Sequence, residues 1–221
     1  MISVGPIDFS TSLFFLAGFT SCLTDTDPSG REIPDYSGPA IRETGLQTAV
    51  LAGGCFWGVD AVYRHVKGVS SVTTGYTGGS EGSPDYESVC TGRTGHAESV
   101  RILYYSDIVS FPTLLKVFFS VVHDPTEVNR QGPDTGTQYR SAIFSVTDSQ
   151  KQVAGAYIQQ IIHSNIFQKP IATQVADLKA FYPAEDYHQN FLALHLSHPY
   201  IVIHDLPKLN LLRKRFPELY Q

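Results

Sequence analysis

The stretch Thr48-Ala49-Val50-Leu51-Ala52-Gly53-Gly54-Cys55-Phe56-Trp57-Gly58 decides how this chain is read. Residues 48–52 are mostly small and apolar, as a buried strand requires, and Gly53-Gly54 supplies a tight turn. From Phe56 to Val66 the apolar residues recur at helical spacing, so Cys55 stands where a strand turns into a helix. At a helix N-terminus a sulfur faces unpaired backbone N–H groups and the positive end of the helix dipole, and both favour thiolate over thiol. Cys55 is therefore expected to be a nucleophile near neutral pH. The glycines let the backbone turn and leave the sulfur approachable, while Phe56 and Trp57 offer an apolar wall. The plain alternative is an inert cysteine among core aromatics. A Gly-Gly turn and the one tryptophan of the chain, both beside Cys55, argue against it.

Further elements follow on the C-terminal side. Residues 99–105 (SVRILYY) alternate as a strand does, residues 112–122 read as a helix opened by Pro112, and residues 139–146 (YRSAIFSV) read as another strand. Asp148 is the expected N-cap of a helix running to about Ile162, and Pro183-Ala184 opens a last one to about Leu196. The pattern predicts a mixed α/β (α+β) domain with few strands, arranged as a two-layer sheet-plus-helices sandwich. The 221 residues, 42% apolar and including 13 Phe and 12 Tyr, suffice for one core without a covalent staple. Three cysteines (Cys22, Cys55, Cys90) are too few and too odd in number for a disulfide framework. With 16 Lys+Arg against 21 Asp+Glu the net charge is −5, which makes no case for nucleic acid or an anionic membrane as partner.

The first residues differ from the rest. Ser12 to Gly18 (SLFFLAG) has the length of a signal-peptide h-region, and Phe19-Thr20-Ser21-Cys22 looks like a degenerate lipoprotein cleavage site. Against this, Met1 to Ser10 carries Asp8 and no Lys or Arg. Two readings stand: an exported, periplasmic lipoprotein anchored through Cys22, or a cytoplasmic protein with an N-terminal extension. The expected division is a signal or lipoprotein segment over 1–22, a linker or wrapping arm over 23–46, and a catalytic domain over 47–221.

The motif Gly54-Cys55-Phe56-Trp57-Gly58 resembles the signature of the A-type peptide methionine sulfoxide reductases. The resemblance continues, in order and spacing, through Gly75-Tyr76-Thr77-Gly78-Gly79, Pro84 to Val89 (PDYESV), Thr94 to Glu98 (TGHAE), His123-Asp124-Pro125-Thr126, Gly136 to Ser141 (GTQYRS) and Ala184 to Gln189 (AEDYHQ). It covers about Thr48 to Asn190. It implies a single domain of that family's fold, related to ferredoxin-like sandwiches, and a thiol-dependent reduction of methionine S-sulfoxide, free or in oxidised proteins that are thereby repaired. By the same resemblance Cys55 attacks the sulfoxide sulfur and Glu98 is the acid that protonates its oxygen. Tyr86 and Tyr139 match the two phenols that hydrogen-bond that oxygen, Asp134 matches the second pocket carboxylate, and Phe56 and Trp57 cradle the methyl group. The chemistry is coherent, because a carboxyl among aromatics keeps its proton to higher pH and can deliver it as the S–O bond breaks.

Attack leaves a sulfenic acid on Cys55, which a second thiol must reduce. Many relatives supply that thiol from a C-terminal tail, but this chain has no cysteine after Cys90. Cys90 is expected to be buried and structural. No bound cofactor is expected, and the reductant is expected to be an external thiol from thioredoxin, a glutaredoxin-like protein or a small molecule, acting on a monomer. His188, His195 and His198 invite a metal reading, with His188 and His195 on one helix face, but no ligand-spaced motif accompanies them and no metal is expected. Two other classes are weighed: a cysteine hydrolase, which needs a histidine within reach of Cys55 and no reductant, and a non-catalytic aromatic pocket for a methyl-bearing ligand.

Overall fold

The computed structural model describes residues 32–80, 82 and 84–221, so the signal or lipoprotein reading of residues 1–22, with Cys22, lies outside the described residues. In chain order the first elements are β1 (Leu46–Gly53), α1 (Phe56–Arg64), β2 (Val69–Thr77), α2 (Tyr86–Cys90), β3 (Ala97–Tyr105) and α3 (Phe111–Val117). A π-helical turn over Phe118–Val122 follows, then the two-residue strands β4 (Arg130–Gln131) and β5 (Asp134–Thr135) and a 3-10 turn over Thr137–Tyr139. The chain continues with β6 (Ser141–Ser145), α4 (Asp148–His163), β7 (Gln174–Asp177) and β8 (Phe181–Pro183). It ends with a 3-10 turn over Asp186–His188, α5 (Phe191–Leu194), a π-helical turn over Ile201–Asp205 and α6 (Leu206–Arg215).

Six strands form one sheet in the order β7-β6-β1-β3-β2-β8, antiparallel except for the β6–β7 pair. The period-2 alternation of the strands sorts the residues into two faces. Ala49, Leu51, Val72, Tyr76, Val100, Ile102, Tyr104 and Ile143 belong to the main core, which includes buried residues of α1, α3 and α4. Val50, Ala52, Ala97, Ala142 and Phe144 form a thin second core, covered by Ala176, Leu178 and Phe181. Helices and sheet thus make the expected mixed α/β sandwich, with β1 central because its residues from Ala49 onward are buried on both faces. Glu98 lies two residues before Val100 on β3, so it joins the helix-bearing face and is 2% exposed.

The strands number more than the sequence suggested. β2 carries Ser70, Ser71, Thr73 and Thr74 and has little apolar alternation at its start, and β7 and β8 are short edge strands. Helix α4 is capped by the Thr147 hydroxyl, which accepts from Gln150 N–H, and not by Asp148. The helix expected over residues 112–122 divides into α3 and the π-helical turn. The helix expected from Pro183 to Leu196 is absent: Pro183 ends β8, and only the 3-10 turn and the single-turn α5 follow. Long-range hydrogen bonds explain the difference. The Gln189 side chain accepts from Thr74 N–H and donates to Thr74 and Ala184 carbonyls, while Glu185 accepts from Tyr86 N–H and Tyr76 O–H. Residues 32–45 run over the domain, with Ile33 buried and the Tyr157 hydroxyl donating to Pro34 O at 2.7 Å.

Candidate active site

Gly53 ends β1, Gly54 turns, and Cys55 is the N-cap of α1. Gly54 holds φ +88, and a Cβ there would lie 2.7 Å from both Cβ and Cγ of Gln131, so only glycine fits. Gln131 is itself fixed, accepting from Asp124 N–H and donating to the Asp124 carbonyl. The turn points Cys55 into the main core's edge, where it is 8% exposed. Its sulfur accepts from Trp57 N–H, and Phe56 N–H donates to Glu98 Oε2 at 3.0 Å. Two of the N–H groups that the helix start leaves free are thus divided between the sulfur and the carboxyl.

Burial lifts the Glu98 pKa from 4.5 to about 8, opposed by the Phe56 N–H and reinforced by the Asp134 charge. The carboxyl therefore carries its proton at neutral pH. The expected preference for thiolate at Cys55 is corrected. Burial first, then the nearby charges of Glu98 and Asp205, hold its thiol well above the usual range, against the pull of Trp57 N–H and Lys208. Desolvation of the sulfur outweighs the helix N-terminus here, so the resting group is a thiol.

The remaining expected residues surround this pair. Tyr86 opens α2, its phenol pushed up by burial, by a hydrogen bond with the Cys90 thiol and by the Glu98 and Cys55 charges. Tyr139 closes the 3-10 turn before β6 and is raised by burial and by Glu98, Asp134 and Cys55. Asp134 sits on the β4–β5 hairpin and accepts a short hydrogen bond from the Tyr200 hydroxyl. Phe56 is 1% exposed, whereas Trp57 is half-buried. All seven residues converge, although no single element carries more than three of them. Cys90 is half-buried and hydrogen-bonded with the Tyr86 phenol, where full burial was expected.

Three groups not assigned to the pocket from the sequence complete its wall. His188 Nδ1 accepts from Trp57 Nε1–H at 3.1 Å, and Phe191 stacks on Trp57 at 3.8 Å between ring centroids. Tyr200 packs edge-on to Trp57 and holds Asp134. His195 stacks on Phe191 and His198 packs edge-on to Trp57, so these three histidines form an aromatic cluster and do not share one helix face. Among the described residues no group of three or more His, Cys, Asp or Glu could hold a metal ion. His123, with its pKa lowered to about 3 by burial, is bonded to Ser141 Oγ through Nε2 and to Phe118 O through Nδ1, so both of its nitrogens are engaged away from Cys55.

A family profile described as Peptide methionine sulfoxide reductase matches residues 47–219. The chain belongs to the peptide methionine sulfoxide reductase family. It is 55% identical over 176 residues to peptide methionine sulfoxide reductase MsrA 2 of Mesorhizobium japonicum, covering 80% of this chain and 90% of the relative. The enzyme of the same name from Synechocystis sp. is 49% identical over 205 residues, 93% of each chain. Among solved structures, methionine sulfoxide reductase A of Corynebacterium diphtheriae aligns with TM-score 0.61 and 33% identity, covering 71% of this chain and 78% of that one. Reduced Mxr1 from Saccharomyces cerevisiae aligns with TM-score 0.62 and 32% identity, over 70% and 88% respectively. The protein is a peptide methionine sulfoxide reductase: an oxidoreductase that returns methionine sulfoxide to methionine.

Proposed function

We propose that the reduction runs through Cys55 as nucleophile and Glu98 as acid, and that it is selective for the S-sulfoxide. The observation that supports this most directly is the buried Glu98 carboxyl, which accepts from Phe56 N–H one residue from Cys55 and whose pKa burial lifts to about 8. A sulfoxide sulfur accepts a nucleophile only as charge on its oxygen is relieved. In the proposed step the Cys55 sulfur bonds to the substrate, Glu98 gives its proton to the oxygen, and Tyr86 and Tyr139 donate hydrogen bonds to it. The oxygen is transferred to Cys55, giving methionine and a cysteine sulfenic acid. The Cys55 thiol proton restores Glu98, so the sum is thiol plus sulfoxide to sulfenic acid plus thioether. Trp57, braced by His188 and Phe191, lies against the substrate methyl with Phe56, and Asp134, held by Tyr200, orients the substrate.

Two external thiols then regenerate Cys55, releasing water and forming a disulfide. Thioredoxin, a glutaredoxin-like protein or a small thiol fits this role, since no cysteine follows Cys90. Free and protein-bound methionine sulfoxide are the proposed substrates, with the chain acting as a monomer and without a bound cofactor. The division of the chain near residue 47 is part of the same proposal. The test is methionine formation from methionine sulfoxide with dithiothreitol: Cys55→Ser abolishes it, and Glu98→Gln loses on the order of 10²- to 10⁴-fold in the first turnover. Turnover by Cys55→Ser, or hydrolysis of acyl substrates without reductant, overturns the assignment.

A further inference from the structure

The C-terminal tail brings two charged side chains against the first turn of α1. Asp205, at the end of the π-helical turn, is 0% exposed, and its Oδ1 pairs with Lys208 Nζ of α6 at 3.2 Å. Its Oδ2 is buried without a hydrogen-bond partner among the described residues. Both groups press on Gly58: a Cβ there would meet Asp205 Oδ1 and would lie 2.6 Å from Lys208 Nζ. Gly58 follows Cys55 by three residues, and positions three apart on a helix have side-chain origins about 5–6 Å apart. The Lys208 ammonium is therefore within about 8 Å of the point where the Cys55 side chain begins. A buried carboxylate with one bare oxygen is unfavourable unless the site uses it.

We propose that Lys208, seated on the first turn of α1 by Asp205, is a positioning residue for the reaction: its ammonium supports negative charge on the Cys55 sulfur as the thiol gives up its proton. The proposal rests on Cys55 as the attacking thiol. The groups in electrostatic interaction with that sulfur are Glu98 from β3, Tyr86 from α2, Tyr139 from the 3-10 turn, Tyr200 and Asp205 around the π-helical turn, and Lys208 from α6. Lys208 is the one cation among them, and it also faces His123, which is held neutral. Lys208 draws the Cys55 ionisation down and Asp205 draws it up. The tail that in many relatives brings a second thiol here brings a charge pair.

The experiment measures alkylation of Cys55 by iodoacetamide against pH, read on the Cys55 peptide by mass spectrometry so that Cys22 and Cys90 do not contribute. Lys208→Met is expected to raise the ionisation midpoint by about one pH unit, a tenfold loss of thiolate at a given pH. Lys208→Arg keeps the charge and restores most of it. In Asp205→Asn the amide oxygen still accepts from Lys208 while the negative charge is gone, so the midpoint falls. Asp205→Asn/Lys208→Met, which leaves no unpaired buried charge and guards against misfolding, lies between the two single variants. Opposite shifts are a signature that loosened packing does not give. A Lys208→Met midpoint equal to wild type, or shifts of the same sign in both single variants, overturns the proposal. Alkylation needs no sulfoxide, so this failure is distinct from turnover by Cys55→Ser, which overturns the reading beneath it.

Discussion

Replacing Glu98 by Gln tests whether the buried carboxyl carries a proton, independently of any turnover. In the folded chain its pKa stands near 8, against 4.5 for an ordinary glutamate, because burial penalises the charged form. Between those values the unfolded chain has released the proton and the folded chain has not. Unfolding stability therefore falls as pH rises through this window, by about 1.4 kcal/mol per pH unit for this one group. Glu98 is 2% exposed, so solvent screening offsets little of it. Glutamine is neutral throughout, and its amide oxygen can still accept from Phe56 N–H. The variant is expected to gain on wild type as pH rises from 5 to 8, by about 4 kcal/mol at most. Urea unfolding of both proteins at several pH values in that range reads the difference directly, and groups common to both cancel. A difference that does not change with pH would show that Glu98 is ionised in the folded protein and would remove it as the acid.

Two further outcomes follow from the same geometry. A sulfoxide held by its methyl against Phe56 and Trp57 and by its oxygen toward Glu98, Tyr86 and Tyr139 offers Cys55 one face, so the S-epimer is expected to react and the R-epimer to be inert; comparable rates on resolved epimers would contradict that placement. Gly54→Ala places a Cβ at φ +88 and 2.7 Å from the Gln131 side chain, so it is expected to cost about 1–3 kcal/mol in urea unfolding and to slow Cys55 alkylation; unchanged stability would mean that the turn is not constrained.

The parts of this molecule governed by local pattern were legible in the sequence. β1, α1, β3 and β6 follow from runs of small and apolar residues with a single periodicity, and the Gly53-Gly54-Cys55 turn follows from the switch between two periods. Residues 183–196 were not legible, because Glu185, His188 and Gln189 spend their hydrogen bonds on Tyr76, Tyr86, Trp57 and Thr74, 99 or more residues away in sequence. Local helix signals there lose to tertiary contacts. The pocket shows the same division. Cys55 has a local reason to be reactive, whereas Glu98, Tyr86, Asp134 and Tyr139 gained roles only through family resemblance. Tyr200 and the Asp205–Lys208 pair escaped notice, since nothing near them marks a polar side chain aimed at a distant helix. The Cys55 ionisation departs from the local pattern because a helix N-terminus is visible in sequence and the depth of burial is not.

The central claim is that the Cys55 sulfur receives the substrate oxygen and that no second cysteine of the chain is needed to complete the first turnover. One measurement addresses it: the reduced protein is mixed with excess methionine S-sulfoxide in the absence of any thiol, methionine is quantified, and the Cys55 peptide is examined by mass spectrometry with and without dimedone. The account predicts one methionine per chain and one added oxygen on Cys55, trapped as a dimedone adduct. Methionine released with Cys55 unmodified, or with Cys55 joined to Cys90 in a disulfide that resists dimedone, would contradict it.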